Sequence, residues 1–328
     1  MTARPADARV ATMSNAQASP AGREDRVERR YVVCGHPIDV GKLAPGLHIV
    51  ATPIGNLGDV TLRALATLAG ADLIACEDTR VTRKLLDRYA IATPLTRYHD
   101  HNAATARPKL LRRLAEGAAI ALVSDAGTPL VSDPGFKLVR AAQEAGHMVT
   151  ALPGPSALLA ALAVAGLPTD QFFFGGFLPA KQAARRTRIA ELARIPSTLV
   201  LFESGPRISA TLADLAAALG RREAALCREL TKIHEEIRRG DLQTLAQSCT
   251  ASEVRGEFVL VIAPPQAPAP PSADDVDALL RQALARVSLK DAVGEVAQAT
   301  GQPRRDLYQR ALALVEAQNQ ETKHGAPR

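Results

Sequence analysis

The segment LVSDAGTPLVSDPG, residues 122–135, runs from an apolar stretch directly into a loop that holds two glycines and two prolines. The segment VATPIGNLGD, residues 50–59, repeats this design earlier in the chain. A strand that ends in such a loop and is followed by a helix leaves backbone N–H groups free to face a ligand, because glycine has no Cβ to block close approach. One such loop alone is an ordinary turn. Four such loops, at residues 52–59, 124–135, 153–162 and 202–207, predict a ligand site at strand ends.

Apolar runs of strand length alternate with amphipathic runs of helix length through the first half of the chain. This pattern predicts strands over residues 47–52, 72–76, 119–123 and 148–152, and helices over residues 62–69, 79–89, 103–116 and 136–145. Asn102 is the expected N-cap of the third helix. Such alternation is typical of an α/β domain with a mainly parallel sheet, in which ligands bind at the carboxyl ends of the strands.

A second α/β unit begins near Pro168, and a helical unit follows a proline-rich segment. The second unit is predicted to hold a basic helix around residues 184–194, a helix over 207–219, and strands over 198–204, 224–230 and 257–263. The prolines of PPQAPAPPSA indicate a stiff linker. Three further helices are predicted over residues 274–287, 290–300 and 304–317. We therefore expect a disordered leader at 1–45, α/β domains at 46–166 and 167–263, a linker at 264–273 and a helical tail at 274–328.

Composition narrows the function classes. The 328 residues are 47% hydrophobic, which is enough for more than one core. Aromatic residues make up 3% and tryptophan is absent, which argues against a base-stacking surface for single-stranded nucleic acid. The four cysteines, Cys34, Cys76, Cys227 and Cys249, form no C-x-x-C pair, so neither a zinc knuckle nor a disulfide framework is expected.

Targeting signals are also missing from the sequence. No window approaches the roughly 18 consecutive apolar residues of a membrane span. The first 45 residues lack the apolar segment of a secretory signal, and Met13 is an alternative start. We expect a cytoplasmic protein that does not contact a membrane. The net charge of +6 fits an RNA or phosphate partner, although many cytoplasmic proteins are as basic.

Seven short motifs carry the functional signal, since neither G-x-G-x-x-G nor G-x-x-x-x-G-K-[ST] occurs. In chain order they are TPIGNLGD (52–59), CEDTR (76–80), YHDHN (98–102), SDAGTPLVSDPG (124–135), PGPSALLAAL (153–162), FESGPR (202–207) and CRELTKIHEE (227–236). Together they resemble the ribosomal RNA small subunit methyltransferase I family of the tetrapyrrole methylase superfamily. The resemblance covers about residues 47–263 and extends less specifically to the tail.

The resemblance implies both a fold and a reaction. The fold is α/β, of the tetrapyrrole-methylase or class III methyltransferase type, in which two domains hold S-adenosyl-L-methionine in a cleft, with a helix-turn-helix-like tail. The reaction is 2′-O-methylation of the ribose of a cytidine, cytidine-1402, in the decoding region of 16S rRNA. The implied partners are 16S rRNA within the small ribosomal subunit and a second copy of the chain. No metal ion and no DNA are expected.

The residues themselves suggest how the methyl donor is held. Backbone groups suit its adenosine and amino-acid tail as hydrogen-bond partners. Pro129 and Pro134 stiffen the second loop, so that less conformational entropy is lost on binding. Asp125 either accepts a bond from the donor or caps its own turn. The predicted donor-binding residues are Pro53, Gly55, Ser124, Asp125, Ala126, Gly127, Thr128, Pro129, Ser132, Pro153, Gly154 and Ser156.

Methyl transfer needs the oxygen, carbon and sulfur held in line, and a hydroxyl nucleophile needs a base. The candidate bases are Asp78, Asp100, His101 and Glu203, and their spacing does not choose among them. The HDHN segment also has a metal-site reading, but two histidines with one aspartate and no further ligand argue against it. A helix N-cap region is the other reading of this segment.

Basic residues on two predicted helices and in two motifs are candidates for phosphate contacts. They are Arg80, Arg83, Lys84, Arg185, Arg186, Arg207 and Lys232. The helical ones also fit ordinary solvated faces. With so few aromatic residues, the target nucleotide should be recognised through shape and its 2′-hydroxyl.

The helical tail and the α/β body leave two rival functions open. The tail has a helix, Gly301 and a second helix that starts with Arg304 and Arg305, as in a DNA-binding helix-turn-helix. Because we count no net charge in it, RNA or ribosome docking is favoured over DNA reading, and a packing role is equally open. One rival is a methyltransferase that acts on a corrin or sirohaem precursor. The other is an effector-binding transcriptional regulator.

Overall fold

The computed structural model describes residues 29–249, 255–265 and 272–324, with side chains described up to residue 317. Twelve strands lie in these ranges: β1 (Arg30–Val33), β2 (His36–Asp39), β3 (Gly46–Val50), β4 (Leu73–Cys76), β5 (Leu95–Arg97), β6 (Ala119–Leu122), β7 (Val149–Leu152), β8 (Phe172–Phe177), β9 (Thr198–Ser204), β10 (Glu223–Arg228), β11 (Glu236–Asp241) and β12 (Glu257–Ile262).

Eleven α-helices lie in the same ranges: α1 (Leu62–Gly70), α2 (Thr79–Arg88), α3 (Ala103–Ala115), α4 (Phe136–Glu144), α5 (Ala157–Ala165), α6 (Gln182–Leu192), α7 (Gly205–Leu219), α8 (Leu242–Ser248), α9 (Ala273–Leu284), α10 (Leu289–Thr300) and α11 (Arg304–His324). Several of these helices begin at a residue whose side chain caps the first turn. Thr61 accepts from the Ala64 N–H at the start of α1, and Asp241 accepts from the Thr244 N–H at the start of α8. None of the described helices is both long and apolar enough to cross a bilayer.

The first sheet is parallel throughout, in the order β5-β4-β6-β3-β7. Its central strands are buried at every position because helices cover both faces. Leu65 and Leu86 lie in the core on one face, and Leu110 and Leu138 in the core on the other. All five carboxyl ends therefore meet at one edge, as the sequence predicted for this domain.

The second sheet is mixed, in the order β11-β10-β12-β9-β8, with only β8 and β9 parallel. Ala161 and Leu162 of α5 are packed with Val200 and Val261 of this sheet. The predicted boundary at residue 166 is therefore wrong, since α5 belongs to the second core. The sequence does not show which sheet α5 packs against, because the apolar run 157–165 would fit either one.

The amino-terminal prediction also needs correction. Residues 30–39, placed in a disordered leader, form the antiparallel β1–β2 hairpin, and Tyr31 is buried against the core that contains α1. Its surrounding polar and charged residues conceal this short hairpin in the sequence. Residues 1–28 of the predicted leader, with Met13, lie outside the described residues.

Asn102 occupies the predicted cap position of α3 but does not cap it. Its side chain makes no hydrogen bond to the first turn of the helix. Instead Asn102 accepts from the His99 N–H at 2.9 Å and donates to the Arg97 carbonyl at 3.0 Å. Asn102 therefore braces the turn between β5 and α3.

The tail forms a separate compact unit from residue 264 onward. Ser272 and Asp275 make a reciprocal capping box at the start of α9. Gly301 ends α10 in the left-handed conformation, with φ of 69°, as a helix–turn–helix requires. The core of the unit contains Leu280, Val296 and Leu307. Arg304 and Arg305 are exposed, and their contact with RNA stays a prediction.

Candidate active site

Three strand-end loops are joined by hydrogen bonds at the carboxyl edge of the first sheet. Thr52 and Gly127 exchange two backbone hydrogen bonds of 2.9 Å, and the Thr52 hydroxyl donates to the Ser124 carbonyl. The Thr128 hydroxyl donates to the Pro155 carbonyl at 3.2 Å. The loops that follow β3, β6 and β7 therefore form one continuous surface.

A cleft of about 370 Å³ separates this surface from the second sheet. That volume lies in the range of small-molecule sites. Six of the predicted donor-binding residues line it: Asp125, Ala126, Gly127, Thr128, Ser132 and Ser156. The other six do not: Pro53, Gly55, Ser124, Pro129, Pro153 and Gly154. Several of these build the loops instead. A Cβ at Gly154, for example, would lie 3.0 Å from the Ala51 Cβ, so only glycine allows the two loops to approach.

The opposite wall of the cleft is apolar and was missed by the sequence reasoning. It is formed by Phe177, Phe202, Cys227, Leu230, Phe258 and Val259. The Phe202 ring stacks edge-on against Phe174 and Phe177, with centroids 4.8 and 5.7 Å away. The apolar runs of β9 and β12 were a usable signal, but which face of each strand meets the first domain depends on sheet register.

Unusual backbone conformations concentrate on both sides of the cleft. Leu130 and Ser132 have φ of 74° and 63° in the loop after β6, and Glu229 and Thr231 have φ of 49° and 66° after β10. Residues other than glycine rarely adopt such values, and they persist where the surrounding structure fixes them. These two loops are therefore held in a particular shape at the cleft.

The first loop also contacts the loop after β10. The Asn56 N–H donates to the Thr231 hydroxyl at 3.1 Å. A Cβ placed on Gly55 would lie 2.7 Å from the same hydroxyl oxygen, so a larger residue would push the loops apart. Gly55 therefore closes the cleft rather than lining it.

Two of the candidate bases are engaged in structural contacts. Asp78 accepts from the Arg80 N–H as the N-cap of α2, and its carboxylate pairs with the Arg80 guanidinium at 2.6 Å. Hydrogen bonds from Arg80 lower the pKa of Asp78 to about 2. Glu203 is buried, accepts from the Thr211 hydroxyl at 2.7 Å and pairs with Arg207 at 3.2 Å. Both carboxylates are therefore engaged by donors of the protein itself.

The other two candidates, Asp100 and His101, are exposed in the turn before α3 and do not line the cleft. The His101 ring lies 6.0 Å from that of His99. Within the described part of the chain, no group of three or more His, Cys, Asp or Glu side chains is arranged to hold a metal ion.

Asp133 is a cleft residue that the sequence reasoning did not select. Burial, together with the nearby Glu77 and Asp125 carboxylates, raises the pKa of Asp133 to about 6, although the Ser124 hydroxyl opposes the shift. Burial and the neighbouring acids also raise the pKa of Glu77. A carboxylate that titrates close to neutral pH is suited to proton transfer.

The remaining cleft carboxylates have protein partners. Asp125 accepts from the Asp78 N–H at 2.9 Å, which ties the loop after β6 to the start of α2. Lys232 bridges Glu229 and Glu257 with two contacts of 2.8 Å. Lys232 lines the cleft, as expected of a substrate-contacting residue, but its ammonium group is already paired.

The predicted phosphate-binding arginines fall into two groups. Arg185 is 4% exposed and pairs with Asp214 at 2.7 Å, so the prediction that it contacts RNA is wrong. Arg186 is exposed but pairs with the same carboxylate at 2.8 Å. Although burial opposes ionisation of Asp214, the two arginines hold its pKa below the usual value. This cluster joins α6 to α7.

The other predicted contacts differ in availability. Arg207 donates to the Leu178 carbonyl and pairs with Glu203, so it fixes the β9–α7 turn. Arg80 pairs with Asp78, but 83% of its side chain is exposed. Arg83 and Lys84 are exposed on α2. Their contact with RNA stays a prediction.

Two family models match this chain. The model described as Tetrapyrrole (Corrin/Porphyrin) Methylases matches residues 46–246, and the model described as RsmI C-terminal HTH domain matches residues 270–315. Among solved structures, a cobalt precorrin-4 methyltransferase of cobalamin biosynthesis has a TM-score of 0.52 at 17% identity, over 66% of this chain and 94% of that one. The fold is therefore that of the S-adenosylmethionine-dependent tetrapyrrole methylase class.

Curated relatives define the family more closely. The chain is 51% identical to a ribosomal RNA small subunit methyltransferase I of Mesorhizobium japonicum, over 83% of this chain and 93% of the relative. It is 48% identical to the protein of the same name from Xylella fastidiosa, over 80% of this chain and 98% of the relative. The chain belongs to the ribosomal RNA small subunit methyltransferase I family, as its motifs indicated.

Proposed function

We propose that this chain transfers a methyl group from S-adenosylmethionine to the ribose 2′-hydroxyl of a cytidine, cytidine-1402, in 16S rRNA. The observation that carries the proposal is the cleft between the joined loops and the second sheet, in a chain about half identical to named small subunit rRNA methyltransferases. The names of these relatives indicate the substrate, and the cleft provides the binding site for the methyl donor.

The residues present fit the methyl donor. The cleft offers backbone groups and hydroxyls on one side, at Ala126, Thr128 and Ser156, and an apolar wall around Phe202 on the other. That division suits a molecule with polar adenosine and amino-acid ends joined through an apolar methylsulfonium centre. When bound, the donor supplies an electrophilic methyl group. The chain orients it, and the apolar wall excludes water that would compete for the methyl group.

We infer that Asp133 is the group that takes the proton from the 2′-hydroxyl. Asp125, Glu203, Glu229 and Glu257 line the same cleft, but each accepts a hydrogen bond or ion pair from the protein. Among the described residues, only the Ser124 hydroxyl favours the ionised form of Asp133. Deprotonation of the hydroxyl as the O–CH₃ bond forms leaves the proton on the Asp133 carboxylate, from which solvent removes it.

The test of the substrate class uses methyl-labelled S-adenosylmethionine and small ribosomal subunits that lack the modification. We expect label in RNA, recovered as 2′-O-methylcytidine after digestion to nucleosides. Parallel reactions with corrin and sirohaem precursors should remain unlabelled. Label in a tetrapyrrole and none in RNA would overturn the proposal, and donor binding with no transfer to any of these substrates would favour an effector-binding regulator.

A homodimer is the proposed assembly, and α5 supports it. The helix reads ALLAALAVA and is apolar around its whole circumference, yet 57% of Leu159 is exposed in the single chain. A helix of this composition is normally covered on all sides. Because a second copy would cover it, Leu159→Glu should convert a dimer to monomers in light scattering, and a monomeric wild-type protein would contradict the assignment.

We keep the cytoplasm as the proposed location. Cys76, Cys227 and Cys249 are buried free thiols, and no disulfide joins described residues. Reduced cysteines are the norm in that compartment. Cell fractionation, with the tagged protein expected alongside ribosomal subunits, tests the placement.

A further inference from the structure

A second concavity lies outside the cleft, between the edge strand β5 and helix α3. It is a groove of about 700 Å³. On the helix side its residues recur every three or four positions, so they form one face of α3. These are Asn102, Thr105, Ala106, Lys109, Leu110, Arg112, Arg113 and Glu116. The strand side adds Pro94 and Leu95–Arg97.

The groove is strongly basic. Arg97, Lys109, Arg112 and Arg113 line it, against the single carboxylate of Glu116 at its end. All four cations are exposed, and none has an ion-pair partner among the described residues. Arg185, Arg186, Arg207 and Lys232 contrast with them, because each is held by a carboxylate of the protein. Cations without partners are the ones available to replace the counterions of a polyanion.

The groove begins at the same edge of the domain as the cleft. Arg97, the last residue of β5, is in register with Cys76, the last residue of β4, so it lies at the carboxyl edge that also carries the loop after β6. At that edge the Asp78 N–H donates to the cleft residue Asp125 at 2.9 Å. Helix α3 then leads away from that edge. From Asn102 to Arg113 it extends about 16 Å, enough to follow several nucleotides.

We propose that this β5–α3 groove binds the sugar-phosphate backbone of the rRNA that enters the methyl-transfer cleft. The inference rests on the proposed function for the identity of the RNA. Lys109, Arg112 and Arg113 contact phosphates away from the target nucleotide, and Arg97 contacts one nearer to it. Such contacts position the RNA without reading its sequence.

Two other uses of the same charges are weaker. Cations beside an edge strand also prevent β5 from pairing with another chain. That role requires a charge next to the strand and does not account for Arg112 and Arg113 on the helix. A second copy docked through this groove would place like charges against each other, which is costly.

The test compares two charge-matched double variants. Lys109→Ala/Arg112→Ala removes two groove cations, and Arg194→Ala/Arg221→Ala removes two exposed arginines from the second domain. Binding to small subunits that lack the modification is measured between 50 and 200 mM salt, about the range over which phosphate contacts dominate. Calorimetry with S-adenosylhomocysteine and thermal melting are run on each protein.

The groove variant should bind small subunits at least tenfold more weakly, with the slope of log K against log salt reduced by about 1.5. The control variant should stay within twofold of wild type, and all proteins should bind S-adenosylhomocysteine equally. If the groove variant binds small subunits as tightly as the control variant does, the inference is overturned. If the groove variant self-associates instead, the groove charges serve to protect the edge strand β5. If wild type binds small subunits more tightly than the groove variant does but transfers no methyl group, only the proposed function fails. No RNA binding by wild type overturns both.

Discussion

Thr52 and Gly127 exchange a pair of 2.9 Å backbone hydrogen bonds between loops that lie more than seventy residues apart in sequence. The bridge occurs outside any sheet, where both strands have already ended. It therefore fixes the first and second loops relative to each other before a ligand arrives. Preorganisation of this kind reduces the entropy lost on binding.

Gly127→Ala should lower donor affinity at least tenfold. Gly127 has φ of 77°, and a Cβ there would lie 3.3 Å from the Ile54 Cγ2 at the cleft wall. The matched control is Gly146→Ala, where φ is 76° and nothing lies within 4 Å of the new Cβ. Both variants should lose about 1 kcal/mol of stability from backbone strain. Calorimetry with S-adenosylhomocysteine checks the difference, and equal affinity of the two variants would contradict the role of the bridge.

Asp133→Asn should reduce kcat by about a hundredfold or more, since the amide accepts no proton. Donor affinity should change little. In wild type, kcat/KM for small subunits should fall as the pH drops through about 6, where the pKa of Asp133 lies. The variant should lack that limb of the pH profile. A variant with wild-type kcat would remove Asp133 from the mechanism.

The same pKa predicts an effect on stability. Because the folded-state pKa of Asp133 lies above the unfolded value of 3.8, the folded state binds this proton more tightly, and stability is lost as the pH rises through about 6. Asp133→Asn should therefore melt at a higher temperature than wild type at pH 8. The advantage should disappear below about pH 4. An Asn variant that is less stable at pH 8 would indicate a structural role for the carboxylate.

Arg185→Ala should destabilise the fold by about 3 kcal/mol, because it leaves the buried Asp214 carboxylate with only the exposed Arg186. The control is Arg188→Ala, whose pair with Glu191 is exposed and should be worth about 0.5 kcal/mol. Urea unfolding gives both values. If the two variants unfold alike while Arg185→Ala binds small subunits more weakly, the original assignment to RNA would be restored.

Asp78→Ala should lower the melting temperature while changing kcat by less than about threefold. The substitution removes the side-chain cap of α2 and the partner of Arg80. Asp78→Ser keeps a capping oxygen and should recover most of the stability. A large loss of kcat in both variants, at unchanged donor affinity, would return Asp78 to the list of bases.

The sequence predicts those parts of the molecule that local pattern determines. Glycine and proline at strand ends located the loops that carry Gly127 and Ser156, because such loops need those residues for close backbone approach. The burial of Arg185 was not predictable in this way, since it depends on Asp214, a residue on the next helix. The apolar wall around Phe202 depends on the register of the second sheet. The sequence did not single out Asp133, because this residue differs from neighbouring aspartates only in its burial.

The measurement that tests the central claim most directly is the position and chemistry of the transferred methyl group. Small subunits that lack the modification are methylated by the purified protein, and the 16S rRNA is then cleaved with alkali and mapped. A 2′-O-methyl group blocks attack of that oxygen on the adjacent phosphate, so the predicted result is one new alkali-resistant linkage after cytidine-1402. Methyl incorporation with complete alkaline cleavage at that position would show that the base, or another nucleotide, is the acceptor.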